Sequence, residues 1–406
     1  MKKAITIILT LALVLSFAFA QGATDDGIYS GVTNNSYRPS DSAYYDGLNY
    51  SLFRNPSDFA NTRLRVQGLD ISNYSFNYAK TIQNKSVAEA LSNITKFDWD
   101  KKNWANYLMG LFAEVGSGYN SIVAGGVGIG AQLGNFGFGF NANVELKSMP
   151  RINDDGELDT EKKSILGNGY LPVLDAAVSF GYGVRIMDLD DISLDIGATA
   201  HVAEKLYMLQ INYDKVSDLV HRTATIDDLP ARGGIAFPVD IAATLGFFGQ
   251  RLNVSLMANN LNGYYYMKEY DNFMSAAAFD GGTDEYTLYT PWSLSAAVIY
   301  NPRLGAVNPT VGLEVTGINQ YIQNDLYKER PIMELMKYVH LSATVDLFGI
   351  GSVKASYKYG YPELGIGAGF LGSKMELVYG YREAGKNYGD KPVDYMSFRV
   401  RLAYDK

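Results

Sequence analysis

Five short stretches near the end of the chain decide its fold: VHLSATVDL (339–347), SVKASYKY (352–359), LGIGAGF (364–370), MELVYGYR (375–382) and MSFRVRLAY (396–404). Apolar residues occupy every second position, and polar residues or glycines occupy most of the positions between them. Because successive side chains of a strand point to opposite faces of a sheet, the pattern predicts five consecutive strands with one apolar and one polar face.

Similar alternating stretches extend back to residue 64 and bring the predicted number of strands to fourteen. The connections between them alternate in length. Short turns at 134–135, 187–191 and 249–251 are followed by long connections at 149–171, 212–233 and 263–290. An even number of strands, with short turns on one rim and long loops on the other, is typical of bacterial outer-membrane barrels. Short helices are expected near 86–89, 104–115, 214–222 and 329–338.

The first residues predict export. Met1-Lys2-Lys3 is followed by a mainly apolar run, 5–17, and by the small-residue pattern Ala18-Phe19-Ala20. This is the layout of a signal peptide over 1–20, and the run is too short to span a bilayer as a stable helix. The remaining chain of about 385 residues suits one large barrel. We expect residues 21–62 to form a plug-like segment and residues 63–406 to form the barrel.

Composition excludes several classes of protein. The chain has no cysteine, which excludes a disulfide framework and a thiolate metal site. Its net charge of −8 argues against nucleic-acid binding, which needs a basic surface. Neither a cofactor nor a metal is predicted.

The orientation of the two faces distinguishes two folds. In a soluble β-sandwich the apolar face forms the core, whereas in an outer-membrane barrel it meets lipid, and charge and glycine face the lumen. Export, the strand number and tyrosines near strand ends, such as Tyr300, Tyr338 and Tyr359, favour the barrel. The prediction is therefore an all-β, antiparallel, up-and-down transmembrane barrel of about fourteen strands, integral to a Gram-negative outer membrane. Its partners would be outer-membrane lipid and the assembly machinery that reads a C-terminal aromatic residue such as Tyr404.

The segment from Asp46 to Ala60 contains Phe53-Arg54-Asn55-Pro56-Ser57-Asp58-Phe59. It resembles the start of the FadL-like superfamily of long-chain fatty acid transporters, in which an Asn-Pro-Ala-type segment lies in a region that plugs the barrel; related barrels of spirochaetes and Bacteroidetes share this start. Here Ser57 replaces the alanine. The resemblance implies passive uptake of hydrophobic or amphipathic small molecules, with Asn55, Pro56, Ser57 and Phe59 in the plug. A general diffusion porin and a surface interaction or adhesion protein remain alternatives.

Two sets of side chains are candidates for the site. On the polar face of their strands, and hence predicted to face the lumen, are His201, His340, Lys354, Lys358, Arg382, Arg399 and Arg401. Apolar residues of the long loops, which would form an outer groove or simply pack the loops together, are Phe273, Met274, Phe279, Ile332, Met333 and Met336. No catalytic residue is predicted, because no local nucleophile motif accompanies the three histidines.

Overall fold

The computed structural model describes residues 55–61, 63–76, 120–150, 168–208, 230–302, 304–348, 350–358, 360–370, 373–383, 388–389 and 392–405. Within these ranges the chain forms one antiparallel sheet of 17 strands, so the predicted all-β class is confirmed. The predicted signal peptide, most of the predicted plug-like segment and the helices expected near 86–89, 104–115 and 214–222 lie outside the described residues.

The strands are named in chain order. They are β1 (Arg63–Phe76), β2 (Asn120–Gly134), β3 (Phe136–Pro150), β4 (Asn168–Asp188), β5 (Ile192–Met208), β6 (Ala231–Ala236), β7 (Val239–Phe247), β8 (Leu252–Leu261), β9 (Tyr264–Tyr270), β10 (Thr283–Tyr289), β11 (Ser293–Tyr300), β12 (Val307–Val315), β13 (Val339–Leu347), β14 (Gly351–Lys358), β15 (Tyr361–Phe370), β16 (Ser373–Glu383) and β17 (Pro392–Asp405).

The helices are short. A 3-10 helix covers Pro56–Ala60, α1 covers Phe273–Ala278, α2 covers Ile318–Gln320, a π-helical turn covers Tyr321–Asp325, and α3 covers Pro331–Leu335. The last of these confirms the helix expected within 329–338.

Neighbouring strands pair in antiparallel ladders along the chain. Starting from β1, the pairing runs through β2, β3, β4 and β5 to β7, β8, β11 and β12, and then in order to β17. Strand β17 in turn pairs with β1, from Arg65 opposite Asp405 to Phe76 opposite Tyr395. Strand β1 therefore has a partner on each side.

Three neighbouring strands break at one level, which we call the seam: 237–238, 262–263 and 290–292. Beyond it, β6 pairs with β5 and β9, and β9 pairs with β10. We call β6, β9 and β10 the panel. The prediction that 263–290 is a loop was wrong, because this range contains β9, α1 and β10. Its tyrosines lie on both faces, as in Tyr264-Tyr265-Tyr266, and this hides the alternation.

The two faces of the sheet have opposite chemistry, as the alternation predicts. Apolar side chains such as Phe138, Phe180, Leu256, Leu313 and Ile366 are exposed. The side chains that alternate with them are buried and largely polar, and include Asp175, Thr199, Glu314, Lys354 and Glu376. The sheet therefore covers its charges and presents its apolar residues outward, the reverse of a soluble core.

Candidate functional site

The candidate site is the buried face of the sheet together with residues 55–61, which lie on it. The 3-10 helix packs against β4, β5 and β7. Its N-cap, Asn55, accepts a 3.1 Å hydrogen bond from the backbone N–H of Ser57 and a 2.7 Å bond from the Ser57 hydroxyl. Pro56 begins the helix, where its missing N–H costs no hydrogen bond. The predicted motif thus folds into a compact turn with its polar groups satisfied.

A chain of hydroxyl groups joins this turn to the sheet. The Ser57 Oγ lies 2.7 Å from the Thr244 Oγ1 on β7, which in turn lies 2.6 Å from the Ser255 Oγ on β8. Asn55 also donates from its Nδ2 to the Thr244 Oγ1, at 3.3 Å. All four residues are buried. Because buried polar groups are costly when unpaired, the chain fixes both the position and the orientation of the turn.

Glycines form the seat of the Phe59 ring. A Cβ built on Gly137 or on Gly181 would lie 2.1 Å from the ring, and one built on Gly197 would lie 2.0 Å from the Pro56 carbonyl oxygen. Real Cβ atoms do not approach other atoms so closely, so only glycine permits this packing. Aromatic residues and glycines alternate in Phe136–Phe140 and in Phe180–Gly183, and this alternation is the sequence signal for the glycine seat.

Polar side chains hold the end of the segment near the short turns. Arg185 donates from its Nη2 to the Asn61 Oδ1 at 2.7 Å and from its Nε to the Asp195 Oδ1 at 2.7 Å. Gln250 donates to the other Asp195 oxygen at 3.0 Å, and Gln132 donates to the Asn61 carbonyl at 3.0 Å. The turns at 189–191 and 248–251 lie close to these residues in the chain. Residues 55–61 therefore sit at the short-turn end of the buried face.

A second polar chain lies beside the seam. His201 has its Nδ1 2.8 Å from the Ser179 Oγ and its Nε2 3.2 Å from the Asp240 Oδ2. Asp240 accepts a 2.7 Å bond from the backbone N–H of Asn260, and the Asn260 amide donates to the Thr290 carbonyl at 2.8 Å. The backbone of Asn260 is left-handed, with φ of 59°, a conformation that asparagine tolerates better than most residues. The chain joins β4 and β5 to all three strand breaks.

Serine, imidazole and carboxylate also occur in this order in hydrolases. Here the Ser179 hydroxyl is almost completely buried, which gives a substrate no access to it. Sequence reasoning placed His201 on the polar face but missed Ser179 and Asp240, because these partners come from other strands. We therefore interpret the hydrogen-bonded chain as a structural element that stabilises the strand breaks of the seam.

Buried ion pairs occupy other parts of the same face. Lys354 donates to the Glu363 Oε1 at 2.7 Å, Ser356 donates to the same oxygen at 3.1 Å, and the Tyr395 hydroxyl donates to the Glu363 Oε2. Lys205 and Asp175 form a second pair at 2.5 Å. Removal of one partner leaves an uncompensated buried charge, so these pairs fix the strands relative to one another.

The remaining lumen candidates are placed as follows. His340, Lys358 and Arg399 are buried on this face. Arg382 lies on β16 and Arg401 on β17, but their side chains are outside the described part of the chain.

The candidate groove residues divide between two loops. Phe273 is buried in α1, Met274 is half-buried, and Phe279 is exposed just after the helix. Helix α1 packs on β5, β6 and β9. Ile332 and Met333 are exposed on α3, with Met336 half-buried at its end, and α3 packs on the π-helical turn. The two sets thus pack on different elements.

The loop between β12 and β13, residues 316–338, has a charged interior. The Asp325 carboxylate accepts bonds from Lys328 at 2.7 Å, from Lys337 at 3.4 Å and from the Tyr338 hydroxyl. Burial by itself raises the pKa of Asp325, but the bonds from Lys328 and Tyr338 and the charge of Lys337 bring it below its ordinary value. Lys337 also pairs with Glu334 at 2.5 Å.

Neither a metal site nor a spanning helix is found in the described residues. No group of three or more metal-ligating side chains lies together there. Among the described helices, none has the length and apolar content needed to cross a bilayer.

Several solved structures align with most of the chain at low identity and with TM-scores of 0.40 or below. The TodX deltaS2S3 mutant, a monoaromatic hydrocarbon channel, is 10% identical, with 97% of this chain and 98% of that one covered and a TM-score of 0.40. A Pseudomonas aeruginosa FadL homologue is 9% identical, with 96% and 99% covered and a TM-score of 0.36. LpxR from Salmonella typhimurium is 12% identical, with 82% and 99% covered and a TM-score of 0.32.

Hydrocarbon channels and a FadL homologue are among these matches, at TM-scores of 0.40 or below. No protein-family profile and no curated protein sequence matches the chain. Because the structural overlap is partial, the function proposed below rests on the geometry of this chain.

Proposed function

We propose that the chain is an outer-membrane β-barrel that takes up hydrophobic or amphipathic small molecules without an energy source. The exposed apolar face supports the membrane location, because such a face is unfavourable in water and favourable against lipid. Strand pairing supports a closed barrel. In the proposed barrel, each strand broken at the seam counts as one crossing, and the 17 strands would make fourteen crossings.

The seat of residues 55–61 is the observation that carries the transport proposal. A phenyl ring on glycines and a hydrogen-bonded turn occupy the buried face near the short-turn rim. In the proposed barrel this segment is a plug, together with the residues that precede it. A plugged lumen favours a selective channel over a wide diffusion pore, whose lumen is open to small solutes.

Purified protein in liposomes tests the proposal. We expect slow swelling in arabinose, and faster entry of a labelled long-chain fatty acid or of toluene than into protein-free liposomes. Rapid swelling in arabinose would instead identify a diffusion porin. Transport of none of these solutes by a folded, correctly inserted protein would favour the interaction or adhesion alternative. Folding is checked by the mobility of unheated protein in detergent gels, which differs from that of heated protein for stable barrels.

A further inference from the structure

We propose that the loop 316–338 rests its outer surface in the outer-leaflet lipid beside the barrel. This inference rests on the proposed membrane barrel and adds a second lipid-contacting surface to it. The loop begins where β12 ends and returns to β13, and its base is closed by a 2.9 Å bond from the Thr316 N–H to the Tyr338 carbonyl.

The loop combines buried carboxylates with exposed apolar side chains. Its buried carboxylates, Asp325 and Glu334, are only 3% and 5% exposed and are paired with lysines. Several of its apolar side chains are exposed, with Ile332 73% exposed and Tyr327 88% exposed. They lie among the exposed polar residues Gln323, Asn324, Glu329 and Arg330. A surface loop in water normally has the opposite arrangement, with its carboxylates in solvent.

Four apolar side chains form this outward set: Ile322, Tyr327, Ile332 and Met333. The π-helical turn contacts α3 through the Tyr321 hydroxyl, which donates to the Pro331 carbonyl at 3.1 Å, and Asp325 in this turn pairs with Lys337 just after α3. None of these contacts uses the four apolar side chains. The outward set therefore needs an apolar partner outside the loop, since exposed apolar residues concentrated in one element mark an interaction surface.

Continuity with the strands identifies that partner as lipid. Leu313 on β12 lies directly opposite Leu341 on β13, and both are exposed on the apolar face. Val315 and Val339, the next pair on that face, directly flank the base of the loop. The apolar surface of the two strands thus leads directly into the loop.

The loop also has the composition of a membrane interface. Tyr327 has an apolar ring and a polar hydroxyl, and Arg330, which is exposed two residues before Ile332, suits anionic headgroups. An interfacial element of this kind is stabilised by buried apolar area together with attraction to anionic lipid.

The absence of natural cysteine permits a direct test. Single-cysteine variants Ile332→Cys, Asn324→Cys and Leu313→Cys are labelled with a nitroxide in the full-length protein in lipid nanodiscs. The matched control in the same loop is Asn324, which is exposed and polar, and Leu313 is the control for strand lipid contact. Collision of the label with oxygen reports lipid, and collision with a water-soluble nickel complex reports water.

We expect the label at 332 to collide preferentially with oxygen, as the label at 313 does, while the label at 324 prefers nickel. A water-like signal at 332 with a lipid-like signal at 313 would overturn the inference and leave the barrel intact. A shift at 332 that appears only after addition of toluene or a fatty acid would also overturn it, and would assign Ile332 to solute capture. A water-like signal at 313 would instead contradict the membrane barrel itself. Gel mobility of unheated protein shows that each variant is folded.

Discussion

Single residues on the buried face show how closely residues 55–61 fit their seat. The ring of Phe59 is in contact with the positions where Gly137 and Gly181 lack a side chain. A larger residue at either position competes with the ring for the same volume. The fit therefore depends on the absence of atoms as much as on the contacts that are made.

We expect Gly181→Ala to displace Phe59, because the new Cβ would lie 2.1 Å from its ring. Overpacking of this kind costs about 1–3 kcal/mol, which is enough to populate an unseated plug. Arabinose swelling should then become faster than in the natural protein. The matched control is Gly351→Ala, since the added methyl there has only the Gly367 carbonyl oxygen, at 3.9 Å, near it. Equal swelling rates in the two variants would contradict the proposed seat.

The sequence could predict the chemistry of individual residues better than their partners. The polar face of β5 follows from alternation, and so does the burial of His201. Ser179 and Asp240 lie 22 and 39 residues away from it, and their contact depends on the register of β4, β5 and β7. Register is set by the whole sheet, which no local pattern specifies.

At the scale of elements, the loop 316–338 behaves as a small folded unit with a charged centre. Its short helix was expected from the sequence, whereas the pairing of Asp325 with two lysines and a tyrosine was not. Contacts between segments that are distant in the chain also explain the error at 263–290, where β9 and β10 pair with each other across α1. Tyrosine suits either face of a strand near a membrane surface, so its position does not reveal the alternation.

The lowered pKa of Asp325 makes the order of this loop dependent on pH. A carboxyl whose pKa is lower in the folded state contributes stability above its unfolded pKa of about 3.8, and the contribution is lost as pH falls through the folded value. We therefore expect a nitroxide at Asn324→Cys to gain mobility as the pH falls below about 3.8 and through the folded pKa of Asp325. With Asp325→Asn added, the label should be mobile at neutral pH and show little further change in acid. A label at Leu313→Cys should respond in neither background, and a response there would indicate unfolding of the strands.

At the scale of the whole molecule, the orientation of the two faces is the strongest result. Alternation, export and the order of long and short connections predicted it. The 17-stranded antiparallel sheet carries its apolar residues outward over neighbouring strands. The break at 237–238 was not predicted, because the apolar alternation of Ile235, Phe237 and Val239 passes through it. Strand ends near 262 and 290 were predicted, whereas the strands that continue beyond them, β9 and β10, were not.

Leu256→Arg tests what surrounds the sheet. Leu256 is exposed on β8 and lies opposite Ala296. Against lipid, an arginine near the middle of a strand costs about 2–4 kcal/mol, whereas in water an exposed site accepts it with little change. We expect Leu256→Arg to be less stable than the natural protein in urea titrations of protein folded in bilayers. Leu304→Arg, at an exposed site between β11 and β12, is the control and should be nearly neutral. Equal stability of the two variants would favour a water-facing sheet.

The seam has a consequence for how the chain can vary over generations. The ladders of three adjacent strands stop at one level. Strand β5, which pairs with both β6 and β7, the short connections of the seam, and side chains such as Asp240 and Asn260 join the two parts. We therefore expect the panel and the loops it carries to tolerate insertions that leave the register of the strands on the other side of the seam unchanged. Conversely, a change at Asp240 or Asn260 affects both parts at once. In the proposed barrel, the seam would thus separate a part that can diversify from a part that must keep its fit to the membrane.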